Sequence, residues 1–272
     1  ILVFVLNVFF LCSGICINSL VILSLWRSVQ LRRKICYFMI IVLSCCDLLA
    51  VLTNNPLTAL VAVLWLTGAL DINSTLPLIA LRFTNVFFAF SLFALLVMNF
   101  DRYLATSYPL FHRASVTKGR LLTLLAIQFI VQMALAVLSV NNLVISREVF
   151  TLILFALLTP PMLFINCKLF LIIRKSRGND DVLLGMTKTF SLKHISSCLL
   201  AVACYLMLSI PVFVYIGLKM SSTKTSAANL NNGDLAGIWA ETIASMNCTF
   251  NCLIFYWKDK VLRIEGMKII KS

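Results

Sequence analysis

Seven apolar runs, each at least 20 residues long, constrain the fold of this chain more than any other feature. A helix needs about 20 apolar residues to cross the ~30 Å hydrocarbon layer of a bilayer. The polar segments between the runs are too short to form a soluble domain. The 272 residues therefore predict one all-α membrane domain, a seven-helix bundle with a short amphipathic helix after it. The predicted spans are 1–25, 36–64, 76–106, 121–140, 149–173, 195–218 and 235–256, and the amphipathic helix is 258–271.

The composition excludes a soluble protein. Hydrophobic residues make up 61% of the chain and charged residues 12%, whereas soluble domains average about 45 to 50% and about 25%. Residues 1–16 alone could be the apolar core of a signal peptide, but the run continues to Leu25, which favours a span. Because the first apolar run already includes Ile1, we expect a further amino-terminal segment before it.

The distribution of basic residues predicts the orientation. The net charge of +13 could suggest a nucleic-acid partner. However, if the amino end lies outside, all but four of the 23 Lys and Arg residues fall on the inner side, the four being Arg82, Arg147, Lys219 and Lys224. Membrane proteins orient themselves by such a bias in their cytoplasmic loops. We therefore expect a multi-pass protein in a lipid bilayer, with the amino end extracellular, the carboxyl end cytoplasmic and no nucleic-acid partner.

Two features of the loops agree with this orientation. The sequon Asn73-Ser74-Thr75 lies in a predicted outer loop, where Asn73 can be glycosylated. Nearly all of the ten cysteines lie within apolar runs, and none lies in an outer loop. The sequence therefore predicts no extracellular disulfide.

Asp47 is a carboxylate in the interior of the second span. Charged groups are costly within a membrane and by default mark a functional site there. Prolines also interrupt the apolar runs. Pro56 should bend the second helix, and we expect Pro160-Pro161 and Pro211 to break the fifth and sixth.

A set of residues, one or more in most of the spans, resembles the rhodopsin-like G-protein-coupled receptors. Each motif alone is weak, but together they occur in the family's order and spacing over the whole chain. They are Asn18, Leu43, Asp47-Leu48-Leu49, Ser91, Asp101-Arg102-Tyr103, Tyr108-Pro109, Pro211, Asn247 and Asn251.

The resemblance implies a central pocket that holds water or a sodium ion. Its residues would be Asp47, Ser91, Asn247 and Asn251. One carboxylate with hydroxyl and amide oxygens suits a hard cation, and the two asparagines, four apart, share a helix face. The alternative is that these groups only satisfy one another across the bundle. No cofactor other than this Na⁺ at Asp47 is expected.

The resemblance also implies a switch at the inner end of the third span. Asp101 would hold Arg102 at rest, and Arg102, next to Tyr103, would contact a heterotrimeric G protein when the sixth helix swings out. The alternative is a charged pair that marks the membrane boundary, where charge is cheap.

Several positions depart from the family. The usual sixth-helix tryptophan is Ser209, and the seventh-helix Asn-Pro-x-x-Tyr has Cys252 and Phe255 in place of proline and tyrosine. Pro77 replaces a third-helix cysteine, and Asn166 replaces a fifth-helix tyrosine. These departures suggest either a modified signalling route or poor signalling.

An outer ligand pocket is expected from the same resemblance. Its candidate residues are Thr84, Phe88, Phe213, Glu241 and Ser245. Thr84 stands where aminergic receptors carry aspartate, which argues against a simple monoamine. The two aromatics could instead be ordinary core or lipid contacts, and Glu241 could pair internally with Arg82 or Lys219.

The expected function is that of a plasma-membrane receptor that binds an extracellular ligand and activates a heterotrimeric G protein. No nucleophile and base are grouped as in an enzyme, and the only histidines are His112 and His194. One alternative is a decoy that binds without signalling, which the altered sixth- and seventh-helix motifs favour. Another is an ion-coupled transporter or channel that uses Asp47, although the inverted repeats of such proteins are absent.

Overall fold

The computed structural model of the chain describes residues 1–68, 75–140, 147–177, 185–221 and 228–271. These ranges are almost entirely helical and contain no strand. The helices, numbered in chain order, are α1 (Leu2–Arg27), α2 (Val29–Arg33), α3 (Ile35–Leu66), α4 (Thr75–Ser107), α5 (Pro109–Ser115), α6 (Lys118–Val140), α7 (Arg147–Arg177), α8 (Gly185–Ser221), α9 (Ala228–Ser245), α10 (Asn247–Lys258) and α11 (Lys260–Lys271).

Six of these helices are long and apolar enough to cross a membrane: α1, α3, α4, α6, α7 and α8. Their surfaces expose large apolar side chains, such as Leu157 at 65% and Met207 at 72%. Asn18 and Asp47, by contrast, are fully buried. An apolar exterior around buried polar groups suits a bundle that faces lipid acyl chains rather than water.

The seventh predicted span, 235–256, is two helices rather than one. α9 ends at Ser245 and α10 begins at Asn247, with a turn at Met246. The Ser245 hydroxyl donates to the Thr242 carbonyl at 2.8 Å, and such bonds compete with the backbone ladder and bend helices. The Met246 amide accordingly donates to a carbonyl three residues earlier, at 3.3 Å. The seventh segment is therefore bent without a proline.

The prolines do not interrupt their helices. α7 continues through Pro160-Pro161, α8 through Pro211, and α3 through Pro56. Each proline removes one backbone hydrogen bond, but the neighbouring turns keep theirs, and no water competes for them in a bilayer. The expectation that the fifth and sixth helices are broken is therefore wrong.

One large apolar core joins the helices. Its fully buried members include Tyr37 and Leu43 of α3 and Leu95 and Met98 of α4. α3 packs against both α1 and α4. The approach of α1 is close at Gly14, where a Cβ would lie 2.9 Å from the Val51 side chain. α3 is therefore held firmly between its neighbours, and it carries Asp47 in this packed region.

The last helix, α11, begins after a cap at Asp259. Asp259 Oδ1 accepts the backbone N–H groups of Val261 at 2.9 Å and Leu262 at 3.2 Å, as an N-cap does. Leu262 is fully buried, whereas Ile264 and Met267 are exposed. The helix starts at Lys260, two residues later than the predicted range 258–271. Ile264 and Met267 form an exposed apolar part of its surface.

Candidate functional site

Asp47 lies fully buried in α3, and side chains from two other helices bond its carboxylate. Ser91 Oγ of α4 donates to Oδ1, and Asn251 Nδ2 of α10 donates to Oδ2 at 3.2 Å. Three of the four residues predicted for the central pocket are thus in direct contact. We call Asp47, Ser91 and Asn251 the central polar cluster.

Asn247, the fourth predicted residue, is buried but is not part of these bonds. It is the first residue of α10, directly after the turn at Met246. Within the described part of the chain, neither Asn247 Oδ1 nor Asn251 Oδ1 has a hydrogen-bond partner. Residues four apart share one helix face, so two buried amide oxygens on one face of α10 remain able to accept a hydrogen bond or ligate a cation.

A second set of polar contacts joins α1, α3 and α10 beside the cluster. Cys252 Sγ donates to Asn18 Oδ1 at 2.7 Å and lies 3.0 Å from Ser44 Oγ. Asn18 Nδ2 donates to the Gly14 carbonyl at 2.8 Å and to the Cys248 carbonyl at 3.4 Å. Cys252, at the position of the family's proline, therefore connects three helices through its thiol.

This role of Cys252 was not found from the sequence. The available signal was that Ser44 and Asn18 are small polar residues in long apolar runs, and buried polar groups need partners. Nothing in the spacing, however, indicates that a thiol 234 positions away supplies the donor to Asn18.

At the inner end of α4, Asp101 and Arg102 form an ion pair. Arg102 Nε donates to Asp101 Oδ2 at 2.9 Å, and an Arg102 terminal NH₂ group contacts the same oxygen. The Asp101 side chain is fully buried, and that of Arg102 is 13% exposed. The predicted acid and base are thus engaged with each other in this structure.

His112 occupies the other oxygen of Asp101, which sequence reasoning missed. Its Nε2 lies 2.7 Å from Asp101 Oδ1. The chain turns at Tyr108, Pro109 opens the short helix α5, and this helix packs back against α4. The only sequence signal was the proline at the first turn of a helix, which does not predict that the fourth residue of that helix faces Asp101.

Other groups surround the ion pair. Two buried thiols, Cys36 on α3 and Cys198 on α8, lie in the neighbourhood of Arg102. Tyr103 packs against an apolar cluster from α7 and α8, and its ring meets that of Tyr108 edge-on at 6.2 Å. Tyr103, the neighbour of Arg102, is therefore in contact with the helix expected to move.

The predicted ligand-pocket aromatics lie in one aromatic layer. Phe155 of α7 is 6.1 Å from Phe88 of α4 and 4.4 Å from Phe213 of α8, measured between ring centroids. Tyr205 of α8 stacks on Phe155 at 6.2 Å and is buried. Phe88 and Phe213 pack against the main core, which agrees with the alternative that they are core residues.

The remaining pocket candidates are more scattered. Glu241 is half-buried, and Ser245 is buried and bonds to its own helix. The side chain of Thr84 and the glycosylation candidate Asn73 lie outside the described residues. Among the candidates whose side chains the structure describes, Phe88 and Phe213 share a contact with Phe155, and the ligand pocket as a whole stays a prediction.

Comparison with known proteins adds one match. The model of the seven-transmembrane receptor family, rhodopsin type, matches residues 17–149, just under half of the chain. No individual curated protein matches the sequence. The matched stretch contains Asp47, Ser91 and the Asp101-Arg102 pair, and six long apolar helices surround these residues. Over this stretch the chain is similar to the rhodopsin family of seven-transmembrane receptors.

Proposed function

We propose that this receptor binds an extracellular ligand and activates a heterotrimeric G protein at the inner face of the plasma membrane. The observation that carries the proposal is the Asp101-Arg102 pair at the inner end of α4, next to α8. An arginine carries five N–H donors in a planar fork. It is therefore suited to bind a partner's carbonyl groups once it is released from its carboxylate.

The ion pair between Arg102 and Asp101 explains why the release of Arg102 would need a signal. Arg102 is largely buried, and removing one member of a buried ion pair costs about 3 to 5 kcal/mol because the other charge is left unpaired. Arg102 therefore stays on Asp101 until another partner offers comparable contacts. Movement of α8, which packs against α4, would open the space for that partner.

Tyr205 is the residue best placed to link the outer half of the bundle to this movement. Ser209, at the position of the family's tryptophan, is buried and donates to the Tyr205 carbonyl at 2.7 Å. It has no ring with which to contact other helices. Tyr205, one turn further inward, contacts Phe88 and Phe155 instead. A ligand that shifts this aromatic layer would move α8 through Tyr205.

The central polar cluster is suited to hold a sodium ion. Asp47 supplies a negative charge, Ser91 a hydroxyl oxygen, and Asn251 and Asn247 supply amide oxygens without partners in the described part of the chain. Hard cations prefer such oxygen ligands. When bound, sodium would neutralise Asp47, and the surrounding side chains would hold α3, α4 and α10 together.

A decoy that binds its ligand without signalling is the second candidate. Two observations favour it: Ser209 replaces the aromatic side chain, and the Cys252 thiol ties α10 to Asn18 of α1. The transporter or channel alternative gains no comparable support.

A second-messenger screen across G-protein classes, with a ligand library, separates the two candidates. Wild-type chain and Arg102→Ala are compared at equal surface expression. Signalling above that of Arg102→Ala supports coupling. Specific surface binding of a ligand with no messenger response in any class supports the decoy instead.

The orientation is tested separately. Tags at both ends are stained in intact cells, and we expect only the amino-terminal tag to be accessible. Asn73→Gln should remove a glycosidase-sensitive shift in apparent mass. Staining of the carboxyl-terminal tag without permeabilisation would reverse the proposed topology.

A further inference from the structure

A groove opens between α7 and α8 on the lipid-facing side of the bundle. Its volume is about 390 Å³, which lies within the range of about 300 to 1,000 Å³ for small-molecule pockets. One face of each helix forms the walls, since the residues recur every three or four positions. The walls include Leu163, Cys167 and Phe170 from α7 and Leu199, Ala203 and Leu206 from α8.

Asn166 is a polar residue in this otherwise apolar groove. It is 7% exposed, and its Nδ2 donates to the Met162 carbonyl one turn earlier at 2.7 Å. Its Oδ1 has no hydrogen-bond partner among the residues that the structure describes. A buried amide oxygen without a donor is costly, most of all where water is scarce. One acceptor in the groove, Asn166 Oδ1, therefore lacks a hydrogen-bond donor.

The chemistry of the groove defines what can supply that donor. Among the residues that the structure describes, no charged one lines the groove, so a carboxylate, a phosphate or an ammonium group would enter without a counter-charge there. The unsatisfied group is an acceptor, so the ligand must donate. The wall residues Phe170 and Leu171 are more than half exposed towards the lipid side, so the ligand must also be soluble in the bilayer.

We propose that this groove binds a neutral, membrane-soluble alcohol or phenol. Its hydroxyl group donates to Asn166 Oδ1, and its hydrocarbon body packs between Leu163, Phe170 and Leu206. Asn166 lies two residues before the exposed Lys168 and eight before Arg174, so this acceptor is close to the level at which α7 first carries charge. Because Asn166 Oδ1 is buried, a hydrogen bond from the alcohol satisfies an acceptor that would otherwise stay unpaired.

The proposal concerns binding alone and does not require that the receptor couples to a G protein. The purified chain in phosphatidylcholine vesicles is irradiated with a long-chain alkanol that carries a diazirine, or with the methyl ether of the same compound. The two probes differ only in the hydroxyl donor. Labelled peptides of α7 and α8 are then quantified by mass spectrometry.

We expect the alkanol to label the groove residues at least threefold more than the ether does. Asn166→Leu, which removes the acceptor, should make the two probes equal. Leu163→Trp, which fills the groove and leaves Asn166 in place, should reduce labelling by the alkanol. Leu157→Trp is the matched control, because Leu157 is an exposed leucine of α7 outside the groove.

Three results would overturn the proposal. The first is equal labelling of the wild type by alkanol and ether, which means partitioning into lipid only. The second is a preference for the alkanol that survives Asn166→Leu. The third is an effect of Leu157→Trp as large as that of Leu163→Trp, which means that the groove is not the site of labelling.

Discussion

His112 Nε2 lies 2.7 Å from Asp101 Oδ1, across eleven positions of sequence and from a different helix. Arg102 bonds the other oxygen of the same carboxylate. Asp101 is therefore fixed from two sides, by the base next to it and by the short helix α5. The hold on Arg102 depends on a residue of α5 as well as on the ion pair.

We predict that His112→Ala raises basal signalling by a few-fold. Without the imidazole, the carboxylate loses the contact that orients it towards Arg102, and α5 loses its anchor. A hydrogen bond to a charged group contributes about 1.5 to 3 kcal/mol, so the effect should be smaller than that of removing the charge. Basal second-messenger level at matched surface expression is the measurement.

Two further variants test whether the hydrogen bond is the cause. His112→Gln retains a side-chain N–H donor and should restore basal signalling towards that of the wild type. Arg113→Ala alters an exposed neighbour on the same helix and should not raise it. If His112→Gln and His112→Ala behave alike, the role of His112 is steric rather than a hydrogen bond to Asp101.

Asp101 and Arg102 should give opposite results on substitution. Arg102→Ala should eliminate G-protein coupling, while surface expression and antagonist binding persist because the residue lies at the inner boundary of the bundle. Asp101→Asn should raise basal activity, because an amide lacks the charge that restrains the arginine. Messenger assays on both variants measure this. If neither variant alters a wild-type response, the pair only marks the membrane boundary.

Asp47→Asn should abolish the effect of sodium on agonist affinity. The substitution preserves the shape of the side chain but replaces one of the two oxygens that accept from Ser91 and Asn251 with an NH₂ group, and it removes the negative charge that attracts a cation. A titration of NaCl against agonist binding is the measurement, with choline chloride at equal ionic strength as the control. Equal sodium sensitivity in the wild type and the variant would mean that the cluster is only a hydrogen-bonded junction.

The sequence predicted contacts that follow from composition and from motif. Apolar runs of span length indicated the six long helices, because length and hydropathy alone decide whether a helix can cross a bilayer. The motif residues Asp47, Ser91 and Asn251 do meet. A carboxylate buried in a span must find polar partners, and the family's spacing indicated which hydroxyl and amide groups they are.

What the sequence did not predict depends on local geometry. The turn at Met246 lies in a segment without a proline, so the positions of the prolines do not predict it. His112 reaches Asp101 only because of the way the chain turns at Tyr108. The unpaired oxygen of Asn166 depends on the space between α7 and α8, which no pattern along one helix reveals.

Reducing agent should leave ligand binding intact. All ten cysteines are free thiols in the structure, and none links the outer end of α4 to a loop. A disulfide typically contributes about 2 to 4 kcal/mol to stability, and this chain has none within it to lose. Ligand binding to membranes is measured with and without dithiothreitol. A large loss of binding would require a disulfide to a segment beyond these residues.

The last prediction concerns the thiol that replaces the family's seventh-helix proline. Cys252→Ala leaves Asn18 Oδ1, which is fully buried, without its donor. An unmet hydrogen bond of this kind costs about 1 kcal/mol, and polar contacts between membrane helices average about 0.6 kcal/mol. We therefore expect the melting temperature of the solubilised receptor to fall by about 2 to 4 °C, the usual shift for such an energy.

Two further variants are the controls. Cys252→Ser keeps a donor at the same position, so its melting temperature should fall by less. Cys12→Ala removes an exposed thiol of α1 and should change nothing. If Cys252→Ala and Cys252→Ser have the same melting temperature as Cys12→Ala, the contact of the Cys252 thiol at 2.7 Å contributes no measurable stability.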